Sequence, residues 1–206
     1  MKNRRVLILD AAARLLGERG FAQTSVEDVI EAAELSGKSH FYHYFRSKDE
    51  LGFQVLERQF ERFADRGLAV LREPMIAPLD RLRLFVDAIV ALQAERAGRG
   101  GSPFGALAAE LADTHEGFRE RLDSVFERWA APLEALFVEL RPHLVEDADP
   151  GRLAHFVIAT LEGGMLLARV KRAQSVMDGV GAELWHYLES RLRERVVDPS
   201  TERSDR

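Results

Sequence analysis

An all-α fold in two parts is predicted by three features of this 206-residue sequence. Apolar residues recur at helical spacing along most of the chain, and no convincing alternating strand pattern is present. Helix-capping patterns stand directly before several of the apolar stretches. A proline-rich interruption at residues 73–78 separates a short N-terminal group of helices from a longer C-terminal group. We therefore expect a three-helix N-terminal domain at residues 1–50, a helical domain at residues 51–197 that begins with a connector helix, and a polar tail at residues 198–206.

The first two predicted helices lie before residue 35. Helix one covers residues 3–19, since Gly20 follows it as a stop and its apolar positions repeat at helical spacing. Those positions are Val6, Leu9, Ala13 and Leu16. Thr24 and Glu27 have the spacing of a capping box, with Thr24 as the cap of a short second helix.

A third short helix and a long fourth helix follow. Residues 35–37 form a predicted tight turn, and Phe41, Tyr42 and Phe45 give the third helix an apolar edge. Ser47 and Glu50 resemble a second capping box, which opens a helix that we expect to run to about Arg72. Two short helices joined by a tight turn and followed by a long one indicate a helix-turn-helix with a connector.

The C-terminal part is predicted to contain five further helices. Ser102 and Pro103 form a good cap and first-turn pair, and Asp149 caps a later helix in the same way. The predicted helices cover residues 80–97, 104–111, 116 to about 140, 150 to about 172, and 175 to about 196.

Composition excludes several classes of protein. The chain has no cysteine, which rules out disulfides and zinc-thiolate sites, and its formal net charge is −5. No apolar run approaches the roughly 18 residues of a membrane span, so we expect a cytoplasmic protein without a membrane partner. The excess acid lies beyond residue 60, because residues 1–60 contain nine basic and nine acidic residues.

The segment from Ser36 to Lys48 differs from this acidic background. It holds three basic residues, two histidines, two tyrosines and no acid, which is the chemistry that binds phosphates and base edges. We interpret it as a helix presented to DNA; the alternative is an ordinary solvated helix face. The predicted DNA-binding residues are Thr24, Ser36, Gly37, Lys38, Ser39, His40, Tyr42, His43, Ser47 and Lys48. Among them Lys38, Ser39, His40 and His43 are expected at base edges, and Thr24, Tyr42 and Lys48 at phosphates.

Several stretches of the N-terminal part carry a family likeness. Phe21-Ala-Gln-Thr-Ser-Val-Glu-Asp-Val, Ala32-Ala33, Phe41-Tyr-His-Tyr-Phe45 and Ser47-Lys-Asp-Glu-Leu51 resemble the TetR family of bacterial transcriptional regulators. The resemblance implies a homodimeric repressor, a four-helix dimer interface from the last two helices, and a small-molecule pocket in each C-terminal domain. The turn before Phe41 is one residue longer than the commoner family spacing, which leaves the start of the recognition helix open by one residue. Relatives often have Cys-Pro where this chain has Ser102-Pro103, so sensing through that thiol does not apply here.

Two sets of C-terminal residues are predicted from the apolar pattern. The effector pocket is expected to draw on Phe85, Ile89, Phe104, Leu107, Leu111, Phe118, Leu122, Trp129, Phe156 and Thr160. The dimer interface is expected to include Leu153, Val157, Leu161, Gly164, Met165, Ala168, Val180, Leu184 and Leu188. The adjacent glycines Gly163 and Gly164 favour a close helix crossing, with room for a ligand as the alternative.

The leading functional hypothesis is a ligand-responsive repressor that binds operator DNA and an unknown small-molecule effector. The alternative is an effector-independent DNA-binding dimer whose C-terminal domain only dimerises. An enzyme is not expected, because no nucleophile–base pair, phosphate loop or metalloprotease motif is present. No cofactor or metal is expected either, since His40 and His43 lack a third ligand nearby.

Overall fold

The computed structural model describes residues 3–95 and 101–193, and regular structure in these ranges is helical. The helices are α1 (Arg4–Arg19), α2 (Val26–Ala32), α3 (Lys38–Tyr44), α4 (Lys48–Phe63), α5 (Pro78–Ala94), α6 (Pro103–Leu111), α7 (Glu116–Glu139), α8 (Pro150–Lys171) and α9 (Gln174–Ser190). Within the described ranges, β-type pairing is limited to one isolated bridge between Leu144 and Leu192. The predicted all-α fold is confirmed.

The N-terminal helices α1 to α3 and the first turns of α4 pack around one small core, which we call the head. Its buried residues are Ile8, Leu9, Ala12, Leu15, Val29, Phe41, Phe45, Leu51 and Val55. Phe41 and Phe45 are completely buried, so they fix the rotation of the short helix α3. Burying a phenylalanine side chain stabilises a fold by roughly 1.5–3 kcal/mol, which is enough to hold a seven-residue helix that would not form alone.

The prediction that Thr24 caps α2 is wrong by one residue. Ser25 is the cap: its hydroxyl accepts a hydrogen bond from the Asp28 amide at 3.1 Å, and the Asp28 carboxylate accepts one from the Ser25 amide at 2.7 Å. Thr24 is buried instead, and its hydroxyl donates to the Gly20 carbonyl at 2.7 Å. The threonine side chain therefore braces the loop after α1, and the capping role passes to the next residue.

The turn between α2 and α3 holds two unusual backbone conformations. Glu34 has a φ of 52°, in the left-handed region that is costly for a residue with a side chain, and Gly37 has a φ of 154°. Helix α3 then begins at Lys38, which settles the start that the sequence left open.

The connector begins as predicted but changes geometry near its end. Ser47 caps α4 by accepting from the Glu50 amide at 3.0 Å. After Phe63 the chain continues as a π-helical turn at Ala64–Leu68 and a 3₁₀ turn at Ala69–Arg72. A side chain at Gly67 would overlap the end of the Ile89 side chain. This glycine therefore lets the π-helical turn at Ala64–Leu68 lie directly against α5.

The C-terminal helices and the second half of α4 share a larger core, and we call this part the regulatory domain. Leu56 and Phe60 of α4 belong to this core, whereas Leu51 and Val55 belong to the head. Helix α8 packs between α7 and α9. By length and composition it could cross a membrane, which by itself is weak evidence for a span, and 44% of its apolar window is buried within the protein. The predicted glycine break at residues 98–101 lies outside the described residues except for Gly101, and the predicted polar tail lies outside them entirely. Helix α9 ends at Ser190 rather than near residue 196.

Candidate DNA-binding surface and ligand cavity

Helix α3 presents one polar face to solvent. Because Phe41 and Phe45 point into the head, Lys38, Ser39, His40 and His43 are exposed on the opposite side. Tyr42 is 53% exposed, and its ring lies edge-on to Phe41 at 5.2 Å between centroids. The structure thus brings the predicted base-contacting residues together on one exposed surface, the geometry in which a recognition helix enters a major groove.

Two of these residues already have partners. The Lys38 ammonium pairs with the Glu27 carboxylate of α2, which raises the pKa of Lys38 and lowers the pKa of Glu27. The Ser36 hydroxyl lies 3.0 Å from His40 Nδ1. The Lys38–Glu27 pair has no local sequence signal, because the two residues are eleven positions apart and meet only across the turn. Within the described residues, the Lys38 ammonium is thus held by a carboxylate from the preceding helix.

The predicted phosphate contacts divide into two groups. Thr24 is only 2% exposed and its hydroxyl is engaged by Gly20, so its side chain is not available to a phosphate, contrary to the prediction. Ser47 and Lys48 lie at the exposed start of α4, where backbone amides attract anions. The Lys48 ammonium lies 4.3 Å from the centre of the Phe21 ring, which holds it beside the loop between α1 and α2.

His115 and His155 lie on different helices from each other and from the neighbouring pair His40 and His43 of α3. His115 caps α7 and has Nε2 3.4 Å from an Asp49 carboxylate oxygen, while His155 lies on the surface of α8. Among the described residues, no group of three or more side chains has the arrangement of a metal site.

A cavity of about 200 Å³, open to solvent beside the exposed Arg62 and Arg66, lies in the regulatory domain between α4, α5, α6, α7 and α8. Its lining residues are Gln59, Arg62, Phe63, Arg66, Ile89, Leu92, Gln93, Ser102, Pro103, Phe104, Trp129, Glu162 and Met165. Phe63, Phe104 and Trp129 form its aromatic wall; the Phe63 and Trp129 rings meet edge to face at 4.6 Å. A larger open groove of about 1130 Å³ between the head, α6 and α8 adjoins it, and Gln59, Ser102 and Glu162 line both.

Three polar residues of this cavity have buried atoms without hydrogen-bond partners among the described residues. These atoms are both ends of the Gln93 amide, the Trp129 indole nitrogen and one oxygen of Glu162. Burial raises the pKa of the Glu162 carboxyl to about 7, although hydrogen bonds from Ser102 and the Gly105 amide act in the opposite direction. Leaving such groups unpaired costs roughly 1–3 kcal/mol each, which is unusual in a purely structural core.

The structure brings only some of the predicted pocket residues to the cavity. Ile89, Phe104 and Trp129 line the cavity, and Leu107 lines the adjoining groove. Phe85, Leu111, Phe118 and Leu122 pack in the core instead. Phe156 is 40% exposed on the outer side of α8 with Thr160 beside it, so neither belongs to the pocket.

The residues that the sequence analysis missed are polar. Gln93 lies four positions after Ile89 and seven after Val86, on the same buried face of α5. A glutamine at such a position is the signal that could have identified it. Glu162 likewise lies between buried Ile158 and Met165 at helical spacing.

The predicted dimer interface requires correction, because its residues face the interior of the protomer. Leu153, Val157, Leu161, Met165, Ala168, Leu184 and Leu188 belong to the regulatory core, and Gly164 is packed against Val180 and Met177 of α9. The close helix crossing made by Gly164 is thus within one chain. A different set faces outward at helical spacing on α8, and we call it the outer stripe: Phe156, Thr160, Gly163, Leu167 and Val170.

The head and the regulatory domain are joined by polar contacts as well as by α4. The Glu110 carboxylate, near the end of α6, accepts hydrogen bonds from the Phe21 amide at 2.9 Å and the Ala22 amide at 2.6 Å. Within the regulatory domain, Arg128 of α7 makes a two-pronged ion pair with Glu57 in the second half of α4, with both N–O distances at 2.8 Å. Helix α6 therefore contacts the cavity at its first residues and the head at its last turn.

Comparison with known proteins gives matches to both parts of the chain. The family model described as bacterial regulatory proteins, tetR family, matches residues 8–55. The model described as transcriptional regulator LmrA/YxaF-like, C-terminal domain, matches residues 78–183.

Relatives and solved structures are similar over most of their length. The chain is 31% identical over 166 residues to the transcriptional regulator AcuR of Cereibacter sphaeroides, covering 80% of this chain and 75% of that relative. It is 28% identical over 173 residues to the HTH-type transcriptional repressor DhaR of a Mycobacterium species, covering 83% and 85%. The crystal structure of a TetR transcriptional regulator from Chloroflexus aurantiacus is 28% identical, with a TM-score of 0.82 over 92% of this chain and 96% of that one.

Proposed function

This chain belongs to the TetR family of bacterial transcriptional regulators, and we propose that it is a homodimeric repressor that a small molecule releases from its operator. Operator binding also implies a cytoplasmic location. The observation that carries the proposal is the exposed polar face of α3, which Phe41 and Phe45 aim away from the head.

The DNA contacts are proposed from this face. Lys38, Ser39, His40 and His43 would meet base edges in the major groove, while Tyr42, Ser47 and Lys48 would bind phosphates on either side. In a symmetric dimer, two such helices reach successive major grooves when they lie about 34 Å apart. The proposed operator is therefore palindromic.

The outer stripe is proposed as the dimer surface. Five of the ten large exposed hydrophobic residues in the described ranges lie on α8 and α9, which concentrates the apolar surface on this face. Phe156 and Tyr187 extend the surface from α8 to α9, with their ring centres 4.5 Å apart. An exposed apolar surface of this kind is typical of an isologous interface between two copies.

The cavity supports a response to an effector. It is lined by Gln59, Arg62 and Phe63 of the connector and by the start of α6, whose other end holds the head through Glu110. A ligand that fits better when these helices shift would favour a state with a different spacing of the two α3 helices. A coupling of roughly 1–3 kcal/mol would weaken operator binding about 5- to 150-fold. The effector-independent alternative predicts a fully packed core, which the cavity and its unpaired polar atoms do not favour.

The test is selection of genomic fragments by the purified full-length protein at near-physiological salt. We expect a few palindromic sites that share one sequence. Recovery of fragments without a shared site, repeated after extensive dialysis and refolding to remove any bound small molecule, would overturn the proposal of a specific regulator.

A further inference from the structure

The unpaired polar atoms of the cavity determine which hydrogen-bonding groups a ligand needs. This inference rests on the proposed effector response. Trp129 offers one N–H donor and no acceptor. Gln93 is 1% exposed and offers N–H donors and a carbonyl acceptor, all unpaired. Glu162 adds one further unpaired oxygen. A ligand that satisfies the site must therefore both accept and donate hydrogen bonds.

Charged ligands fit this arrangement poorly. An ammonium could pair with Glu162, but it has no acceptor for Trp129 or for the Gln93 N–H groups. A carboxylate would lie beside Glu162, and the two arginines of the lining are already paired, Arg62 with Asp10 and Arg66 with Glu95. A ketone would accept but leave the Gln93 carbonyl without a donor.

The size and walls of the cavity limit the rest of the ligand. A volume of about 200 Å³ is below the roughly 300–1,000 Å³ of sites for drug-sized molecules. Phe63, Phe104 and Trp129 offer flat apolar surfaces to the remainder of the molecule.

We propose that the cavity binds a small uncharged molecule with an apolar body and one polar group that both donates and accepts hydrogen bonds, namely an alcohol or a primary amide. Its oxygen accepts from Trp129 and Gln93, and its O–H or N–H donates to the Gln93 carbonyl or to Glu162. The apolar body lies against the aromatic wall.

The experiment uses four probes of one size that differ in a single group: benzyl alcohol, benzylamine, benzoate and toluene. Binding is measured without DNA, by the fluorescence of Trp129 in full-length protein carrying Trp185→Phe and by thermal shift of the unaltered protein. Trp129 and Trp185 are the two tryptophans of the chain, so this substitution isolates the signal of the cavity. We expect benzyl alcohol to bind at least tenfold more tightly than the other three, and benzamide, a fifth probe that carries the primary amide, to bind comparably. Tightest binding of benzylamine, of benzoate or of toluene would overturn the proposal, as would failure of both neutral polar probes to bind.

The variant Gln93→Leu tests the role of the amide directly. Because this substitution removes unpaired polar atoms from a buried position, we expect unchanged or raised thermal stability, a tenfold or greater loss of benzyl alcohol affinity, and a gain for toluene. Gln174→Leu is the control for probe affinity, since Gln174 also has a buried unpaired oxygen but does not line the cavity. Its stability is not compared, because the Gln174 amide nitrogen donates to the Val90 carbonyl and to Asp178. Loss of stability in Gln93→Leu with unchanged preference among the probes would show that the amide is structural.

Operator affinity is measured separately with the same protein. If none of the probes binds while the protein binds a palindromic operator, the proposed ligand class is wrong and the proposed function as a regulator is retained. If benzyl alcohol binds in the cavity while no specific operator is found, the proposed function is wrong and the proposed ligand class is retained.

Discussion

Glu162 is the residue whose ionisation is most constrained by the fold. Its carboxyl has a pKa of about 7 in the folded protein against 4.5 for the ordinary side chain, with burial as the main cause. The folded state thus holds the proton more tightly than the unfolded chain does. The resulting contribution to stability is full below pH 4.5 and is lost as the pH rises through 7.

Glu162→Gln should remove this pH dependence. The amide keeps a hydrogen-bonding oxygen for Ser102 and the Gly105 amide but cannot ionise, so we expect the variant to gain roughly 1–3 kcal/mol over the unaltered protein at pH 8 and little at pH 5. The measurement is the free energy of unfolding in urea at four pH values between 5 and 8. Glu134→Gln, an exposed glutamate of α7, is the control. A difference between variant and parent that does not change with pH would contradict the prediction.

The ion pair between Lys38 and Glu27 is expected to affect operator affinity, because it holds the Lys38 ammonium in the absence of DNA. Lys38→Ala should weaken operator binding by about 1–3 kcal/mol, because it removes a cation from the base-contacting surface. Glu27→Gln should strengthen binding severalfold, since it frees Lys38 and removes a negative charge beside the DNA. Both are measured by fluorescence anisotropy on the selected operator at fixed salt, with Arg152→Ala at the exposed start of α8 as the control. Unchanged affinity in Lys38→Ala would contradict the assignment of α3 as the recognition helix.

At the scale of elements, the turn between α2 and α3 stores backbone strain at Glu34. A residue with a side chain costs about 1–2 kcal/mol in the left-handed conformation, whereas glycine adopts it readily. We expect Glu34→Gly to stabilise the protein by roughly 0.5–1 kcal/mol after the greater freedom of glycine in the unfolded chain is subtracted. Thermal and urea unfolding measure the change. Glu31→Gly, within α2, should instead destabilise by about 1 kcal/mol; equal effects of the two substitutions would contradict the prediction.

The order and type of the helices could be predicted from sequence because each has local signals. Ser47, Ser102 and Asp149 are side-chain caps whose effect does not depend on distant residues. The prediction that Thr24 caps α2 is wrong because the Thr24 hydroxyl donates to the Gly20 carbonyl in the folded head, and Ser25 is the cap instead. Capping patterns that overlap by one residue are decided by such tertiary contacts.

The sites were harder to predict than the elements, because an apolar residue on a helix does not reveal which neighbour it contacts. Leu161 and Met165 have the pattern of an interface, yet they are buried against the chain's own helices. The cavity depends on Gln93 and Glu162, which are polar exceptions within apolar stripes. Lys38 and Glu27 meet only after the turn has formed, so their pairing has no local sequence signal.

At the scale of the whole molecule, assembly depends on which face of α8 remains uncovered. A charge at Met165 would test folding rather than dimerisation, because that side chain is 8% exposed and belongs to the regulatory core. Leu167 is 49% exposed and lies at the centre of the outer stripe, so it is the position at which a charge reaches the proposed interface without disturbing the protomer.

Leu167→Glu is therefore expected to convert the dimer into a folded monomer. In the proposed dimer, both copies of the introduced carboxylate would lose their hydration in the interface, which costs several kcal/mol. Sedimentation equilibrium gives the molecular mass, and circular dichroism checks that the helices persist. Leu84→Glu on α5 is the matched control, since Leu84 is 45% exposed but lies away from the stripe. The monomer should bind a single half-site weakly and the palindromic operator no better, because both recognition helices must act together for high affinity. A variant that sediments as a dimer would refute the outer stripe as the interface.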